Sequence, residues 1–229
     1  MLARSGAACA ALAAACAFAP VLAAESVAKA SDDAHAVNGA NDDGSGPFLD
    51  VRAGVGTEGG HHEFRGTSTN PSPPHEATLE TSVAGVVVQF ALRGGWRFME
   101  RFAAGLELAA GVSPKARDDG GLVQSRVAEA IQASAGPFAA WRPIDEIELS
   151  LAASWASAHF GASKTEMCCP PDDIYEPEGM SGVLVSGDVA VVIPKPFAFG
   201  ARYAIGRLAG AHTTYVPSML LFEVGATTW

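Results

Sequence analysis

The chain has few cysteines, and its body lacks any long apolar run. Of its four cysteines, Cys9 and Cys16 lie near the N-terminus and only Cys168 and Cys169 lie further along, so a long-range disulfide framework is not expected. The apolar stretch at residues 83–94 is about half as long as the roughly 20 residues of a membrane-spanning helix. Hydrophobic residues make up 48% of the chain, yet they rarely recur at helical spacing.

Positive charge is also scarce, and the usual chemical motifs are missing. The chain has 15 Lys and Arg against 25 Asp and Glu, a net charge of -10 at pH 7. Nucleic acid is therefore an improbable partner, because its phosphates require a basic surface. No Gly-rich phosphate loop, Walker motif, zinc-finger spacing or recognisable nucleophile motif occurs. We therefore predict a protein that is not an enzyme, with no cofactor, no catalytic residues and no metal site.

The N-terminus has the pattern of a secretory signal. Arg4 is followed by an Ala-rich apolar run at residues 7–18 and by small residues up to Ala23, which predicts cleavage after Ala23 or Ala24. The alternative is a lipoprotein signal with Cys16 as the lipidated residue, but the upstream leucine stands one position too far away. We divide the chain into a signal peptide at 1–24, a flexible periplasmic leader at 25–46 and a barrel at 47–229.

Most of the remaining chain alternates apolar residues with small or polar ones. Leu106 and Leu108, for example, alternate with Glu107 and Ala109, as in a strand with one apolar and one polar face. Eight segments follow this pattern, near residues 48–56, 83–94, 104–112, 126–141, 147–155, 183–193, 197–206 and 220–229. The fourth is the least regular, since Pro137 cannot donate to a ladder and predicts a bulge or local break. An amphipathic helix at residues 123–135 is the competing interpretation.

The predicted connections alternate between long and short. Long ones are expected at residues 57–80, 113–124, 161–179 and 207–214, and short turns at residues 99–101, 143–146 and 194–196. This order suits a barrel with both termini in the periplasm. Aromatic residues gather at both ends of the strands, as in a membrane-interface belt: Trp96, Phe98, Phe102, Trp141, Phe197 and Trp229 at the short turns, and Trp155, Phe160 and Tyr215 near the long loops.

This architecture resembles the small eight-stranded outer-membrane barrel family of OmpA-type transmembrane domains and OmpX-like proteins. The resemblance covers residues 47–229, rests on architecture, and implies an all-β, eight-stranded antiparallel up-and-down transmembrane β-barrel. Trp229 matches the family's C-terminal signal for the barrel assembly machinery, although Glu223, Gly225 and Thr227 share its parity where the family keeps apolar residues. The implied partners are that machinery and outer-membrane lipids, the implied location is the outer membrane, and the expected state is a monomer.

Ionisable residues recur on the face opposite the large apolar side chains. We interpret them as a structural ion-pair network that fills the lumen rather than as an acid–base pair, because buried unpaired charge is costly. Arg93 should lie beside Glu107 across one short turn, and Asp188 beside Arg202 across another. The full inward set is Asp50, Arg52, Arg93, Glu107, Glu148, Asp188, Arg202 and Glu223.

Two further motifs lie in predicted loops. His61, His62 and Glu63, with His75 downstream, could supply metal ligands, but adjacent histidines in a Gly- and Pro-rich loop more often fill a polar surface. Cys168 and Cys169 could form a vicinal disulfide at a loop tip, pair between molecules or remain free thiols.

Three hypotheses on function follow. The leading one is a non-enzymatic outer-membrane barrel with a filled lumen and a structural or surface-interaction role through long extracellular loops. The second is a narrow pore for small solutes. The third is a soluble periplasmic barrel that binds lipid or another ligand, with its apolar face turned inward.

Overall fold

Eight antiparallel strands form a closed barrel in the computed structural model, which describes residues 44–68, 75–120, 123–160, 179–193 and 196–228. Each strand pairs with the next along the chain, and the last pairs with the first. The predicted up-and-down barrel is confirmed. The strands are β1 Gly46–Ser68, β2 His75–Phe98, β3 Phe102–Gly120, β4 Val123–Ile144, β5 Ile147–Phe160, β6 Gly179–Val192, β7 Phe197–Ala209 and β8 Thr213–Thr227.

The alternation along each strand sorts large apolar side chains to the outside. On β5, Leu151 is 67% exposed while the next residue, Ala152, is 4% exposed. This arrangement is that of a transmembrane barrel and is the reverse of what a soluble barrel with an apolar binding cavity requires. Other exposed apolar side chains on this outer surface are Leu49, Val55, Val86, Leu92, Leu106, Leu108, Ile131, Val185, Val189, Val191, Phe199, Leu220 and Phe222.

The outer apolar surface has the height of a membrane. On β5 it runs from Ile147 to Trp155, and Ser157 and His159 follow on the same face. At about 3.3 Å per residue and a tilt of about 40°, this stretch rises roughly 20–25 Å, close to the apolar band of outer-membrane barrels. We call this surface the apolar belt.

The two ends of the barrel differ. Residues 99–101 and 145–146 form tight turns between β2 and β3 and between β4 and β5, and the β6–β7 connection lies at the same end, which we call the turn end. Met99 adopts a positive φ of 57° in the first of these turns, the left-handed backbone that such short connections require. The opposite end is called the loop end.

The predicted long connections are wrong in three of four places. β1 continues to Ser68 and β2 starts at His75, β3 and β4 are separated by residues 121–122 alone, and β7 and β8 by residues 210–212. Beyond the belt the outer face contacts water and the inner face carries polar side chains such as the buried Glu58 and His62, so apolar alternation disappears although the backbone ladder continues. Sequence periodicity therefore predicted strands that are too short at the loop end. The fourth connection, residues 161–178, lies outside the described residues.

Two further expectations are settled by pairing. Residues 123–135 belong to β4, so the helical alternative is wrong. At Pro137, where a bulge or local break was expected, the β4–β5 ladder omits the pairs of Gly136 and Pro137. The register is the same on both sides, with Ala135 opposite Trp155 and Phe138 opposite Ala152, so the break is local and is not a bulge.

Several predicted features cannot be placed. The signal peptide, residues 25–43 of the leader, Cys168, Cys169 and Trp229 all lie outside the described residues. In the part of the chain that is described, no helix is long and apolar enough to cross a membrane.

Candidate functional site

The described lumen contains a charged layer near the turn end. All eight predicted inward residues are buried there, with exposures between 0% for Arg93 and 6% for Glu223. Their strands supply them by the same alternation that turns the apolar belt outward. The structure thus brings the whole predicted set together.

Arg93 on β2 holds two carboxylates from different strands. Its Nε donates to Glu107 Oε2 at 2.5 Å, and its Nη2 donates to Asp188 Oδ2. Its Nη1 also reaches the Ser150 hydroxyl at 3.2 Å, and that hydroxyl donates to Asp188 Oδ2 at 2.6 Å. The guanidinium lies over the Phe138 ring, 5.2 Å from its centroid.

Arg202 on β7 engages the same two acids, Asp188 from the neighbouring strand and Glu107 from across the lumen. Its Nε donates to Asp188 Oδ1 at 2.6 Å, and its Nη2 donates to Glu107 Oε2 at 2.6 Å. Glu223 Oε1 lies 3.2 Å from Arg202 Nε. Arg93 and Arg202 therefore share Glu107 and Asp188 in one four-membered cluster.

Arg52 on β1 forms the second centre of the layer. Its Nε donates to Asp50 Oδ2 at 2.8 Å, its Nη2 donates to Glu148 Oε1, and Glu223 Oε2 lies 3.8 Å from its Nη1. Arg142 on β4 donates through Nη2 to the second oxygen of Glu148 at 3.0 Å. Four arginines thus face five carboxylates in the layer.

Three of these contacts cross the full width of the barrel. In the closed order of eight strands, β1 stands opposite β5, β2 opposite β6 and β3 opposite β7. Arg52 reaches Glu148, Arg93 reaches Asp188, and Arg202 reaches Glu107 across these three diameters. The two neighbouring pairs expected from the sequence are also present, Arg93 with Glu107 and Arg202 with Asp188.

Arg142 was missing from the sequence-based set. Gln132, Ser134 and Arg142 are separated by even numbers of residues on β4. If the alternation is extended beyond Pro137, it therefore predicts that Arg142 faces inward like Gln132 and Ser134. The irregularity at Pro137 obscured it.

A different set of side chains occupies the loop end of the lumen. Tyr215 donates its hydroxyl to Glu58 Oε1 at 2.7 Å. His62 stacks on Phe160 with ring centroids 5.2 Å apart, and Tyr215 meets Phe160 edge to face at 5.2 Å. The sequence placed Phe160 and Tyr215 in an outer aromatic belt, which is wrong: their positions on β5 and β8 have inward parity. Glu58 and His62 were missed because residues 57–80 were interpreted as a loop.

Between these two groups the described lumen holds a buried apolar cluster, with inward-facing polar side chains such as Gln89 and Gln132 beside it. Val87, Leu184, Met219 and Leu221 are at most 5% exposed and belong to one buried cluster. A second, smaller cluster that includes Phe48 and Phe138, whose rings meet edge to face at 5.8 Å, packs at the turn end. The described lumen is therefore layered along the barrel axis.

The described part of the histidine motif does not converge on a metal site. His61 points outward, where its Nε2 lies 3.8 Å from Glu80 Oε2, whereas His62 points inward and is buried. Consecutive strand residues face opposite sides, so the two imidazoles diverge. Among the described side chains, which do not include that of His75, no group of three His, Cys, Asp or Glu could hold a metal ion.

The charged layer is suited to cross-linking the wall rather than to proton transfer. Arginine remains protonated at all ordinary pH values. Each carboxylate of the layer lies against at least one guanidinium.

Comparison with known proteins adds likeness of fold alone. No family model and no curated protein matches the chain. The chain is similar to the solved structure of OprG from Pseudomonas aeruginosa, at 10% identity, 80% and 95% coverage of the two chains and a TM-score of 0.46. It is also similar to Neisserial surface protein A, at 12% identity, 80% and 98% coverage of the two chains and a TM-score of 0.43. A third similar structure is the outer membrane protease OmpT from Escherichia coli, at 7% identity, 79% and 96% coverage and a TM-score of 0.38. At such values these likenesses carry no argument about function.

Proposed function

We propose that this protein is a non-enzymatic outer-membrane barrel with a closed lumen, which presents an extracellular surface for a structural or interaction role. The turn end faces the periplasm, and the loop end faces outward. A signal peptide is removed on export, the barrel assembly machinery inserts the mature chain, and the monomer is the functional unit.

The apolar belt supports the membrane location. Large side chains such as Leu106 at 65% and Phe222 at 66% exposure would expose far more contiguous apolar surface than a soluble monomer tolerates. Trp96, Phe102 and Trp141 are exposed at the turn end of the belt, where amphipathic rings favour the membrane interface. Lipid is therefore the partner that fits the outer wall.

The three contacts across the barrel diameter carry the closed-lumen proposal. An eight-stranded barrel is just wide enough for its side chains to fill, and here charged side chains meet across the centre instead of lining an open channel. The buried apolar cluster at Leu184, Met219 and Leu221 adds a segment with low affinity for water.

The uneven strand lengths support a surface role. β1, β2, β3 and β4 have 23, 24, 19 and 22 residues, whereas β5, β6, β7 and β8 have 14, 14, 13 and 15. Since all eight cross the same belt, the first four extend beyond it at the loop end as a sheet. This sheet provides a surface on which a partner would act.

The non-enzymatic assignment rests on how the ionisable groups are used. The charged layer binds its carboxylates to arginines, and Glu58 accepts a hydrogen bond from Tyr215. Asp188, which accepts from the Ser150 hydroxyl, is also held by Arg93 and Arg202, so it is a poor general base for that hydroxyl. Hydrolysis of a peptide or ester panel by the purified protein would overturn the assignment.

Fractionation and bilayer conductance test the proposal together. The mature chain should stay in outer membranes after carbonate or urea washing, and the purified protein should show no steady single-channel conductance in planar bilayers. Release by the wash would refute the membrane location. Steady conductance would instead refute the closed lumen and favour a narrow pore for small solutes.

A further inference from the structure

A polar patch lies on the outer wall just beyond the apolar belt at the loop end. The register places Trp155, Val183 and Arg207 in one row across β5, β6 and β7, and Ser157, Ser181 and Ala209 in the next row toward the loop end. Trp155 and Val183 are 63% and 50% exposed, and Arg207, Ser157 and Ser181 are also exposed. The belt therefore ends at a step from apolar side chains to one guanidinium and two hydroxyls.

The patch is compact enough for one small anion. Ser157 and Ser181 are directly paired across β5 and β6, which puts their Cβ atoms about 5 Å apart. Arg207 is paired with Val183 and so lies diagonal to Ser181, about 7–8 Å away and within reach of a long side chain. A guanidinium and hydroxyls are the groups that bind phosphate oxygens.

Arg207 stands out on this acidic protein. Of the Lys and Arg side chains that the structure describes, Arg52, Arg93, Arg142 and Arg202 point into the lumen, Arg97 and Arg101 lie at the turn end, and only Arg207 lies at the loop end. Within the described part of the chain, no carboxylate forms an ion pair with it. A net charge of -10 repels anionic lipid in general, so attraction at Arg207 would be local.

The membrane itself determines what covers this patch. If lipid chains cover the belt up to Trp155 and Val183, the headgroups of the same leaflet lie against the next row. We propose that Arg207, with the hydroxyls of Ser181 and Ser157, binds the phosphate of a membrane-lipid headgroup. This inference rests on the proposed membrane location and names a lipid partner at one specific place.

Native mass spectrometry of the detergent-solubilised protein with phosphatidylglycerol tests the site. Arg207→Gln should weaken retention of the lipid about tenfold, which corresponds to the loss of charge-assisted hydrogen bonds. Ser181→Ala combined with Ser157→Ala should weaken it less. Arg101→Gln, which removes an exposed arginine at the turn end, is the matched control and should have no effect.

Two further probes distinguish the source of the phosphate. Diacylglycerol lacks phosphate. The unaltered protein should therefore retain diacylglycerol no better than the Arg207→Gln variant retains phosphatidylglycerol. Inorganic phosphate at equal concentration should not displace the lipid, because it lacks the chains that contact Trp155 and Val183. Displacement by inorganic phosphate, or equal retention by the unaltered protein and Arg207→Gln, would overturn the proposal.

Membrane fractionation distinguishes refutation of the phosphate site from refutation of the proposed membrane location. Arg207→Gln should still remain in washed outer membranes. If it does and lipid retention is unchanged, only the phosphate site is refuted. If the unaltered protein is itself released by the wash, the membrane location is refuted.

Discussion

Individual residues in this barrel are specified first by the face on which they lie. Leu151 and Ile147 share the lipid-facing side of β5, but Leu151 stands near mid-belt and Ile147 at its edge. The same chemical change should therefore have very different consequences at the two positions.

We predict that Leu151→Arg lowers the free energy of unfolding by about 2–4 kcal/mol and Ile147→Arg by about 0–1 kcal/mol, because the cost of arginine falls from midplane to interface. Urea titration in lipid vesicles, followed by tryptophan fluorescence, measures both. Equal costs at the two positions would contradict the placement of the belt.

Tyr215 and Tyr203 offer a second contrast, between the lumen and lipid. Tyr215 is fully buried and donates to the buried Glu58, whereas Tyr203 is 51% exposed on the outer wall. Tyr215→Phe should cost about 1–3 kcal/mol, since it leaves a buried acceptor without its donor. Tyr203→Phe should change stability by less than about 0.5 kcal/mol. The same vesicle titration applies, and a neutral Tyr215→Phe would contradict the hydrogen bond.

For individual residues, the sequence predicts which side of the barrel wall a side chain faces. It predicts the contacts of that side chain only in part. Parity placed all eight charged residues inside, and the short turns identified the neighbouring pair of Arg93 and Glu107. The contact of Arg52 with Glu148 could not be derived, because it depends on barrel closure and on side chains that reach across the lumen.

At the level of elements, the β2–β3 hairpin depends on a close backbone approach. Gly95 and Gly105 are directly paired, and a Cβ on Gly95 would stand 2.6 Å from the Gly105 Cα. The adjacent Gly94 faces the other way, and its nearest neighbours would be at 3.8 Å. These neighbours form an internal control.

We predict that Gly95→Ala destabilises the barrel by about 1–3 kcal/mol through overpacking. Gly94→Ala should be neutral or stabilise it by up to about 1 kcal/mol, because it restricts the unfolded chain without a clash. Equal effects in vesicle unfolding would show that the two strands are further apart than the structure has them.

Element boundaries were the weakest part of the sequence analysis. β2 was expected to begin near Val83 and begins at His75, and β1 was expected to end at Gly56 and continues to Ser68. Apolar alternation reports only where one face contacts lipid or a core, so it cannot show a strand that continues into water. Glu58, His62 and Tyr215 were misplaced for this reason.

At the scale of the whole molecule, closure of the strand ladder should give kinetic resistance to unfolding, since no edge is open within the belt. Unboiled protein in mild detergent should migrate differently from boiled protein on gels. Identical mobility would count against a closed barrel. This assay also serves as the folding control for lumen variants.

The closed lumen proposed above would hold two barriers in series, one charged and one apolar, and this yields a prediction about conductance. The double variant Arg93→Ala with Glu107→Ala removes one positive and one negative group from the charged layer, so the net charge of the layer is unchanged. Met219→Ala with Leu221→Ala thins the apolar cluster. An apolar constriction excludes water and ions without any charged gate, so opening the charged layer alone should leave the lumen sealed.

We therefore expect no steady conductance in planar bilayers from the unaltered protein or from either double variant, and conductance only when all four substitutions are combined. Heat-modifiable migration must be retained by every variant for the comparison to hold. If Arg93→Ala with Glu107→Ala conducts by itself, the apolar cluster is not a barrier and the charged layer alone closes the lumen. If the fourfold variant is folded and remains silent, the seal does not depend on these four side chains and lies in others, such as the remaining Arg52–Glu148 contact across the diameter. The account of two barriers formed by the substituted groups would then be wrong.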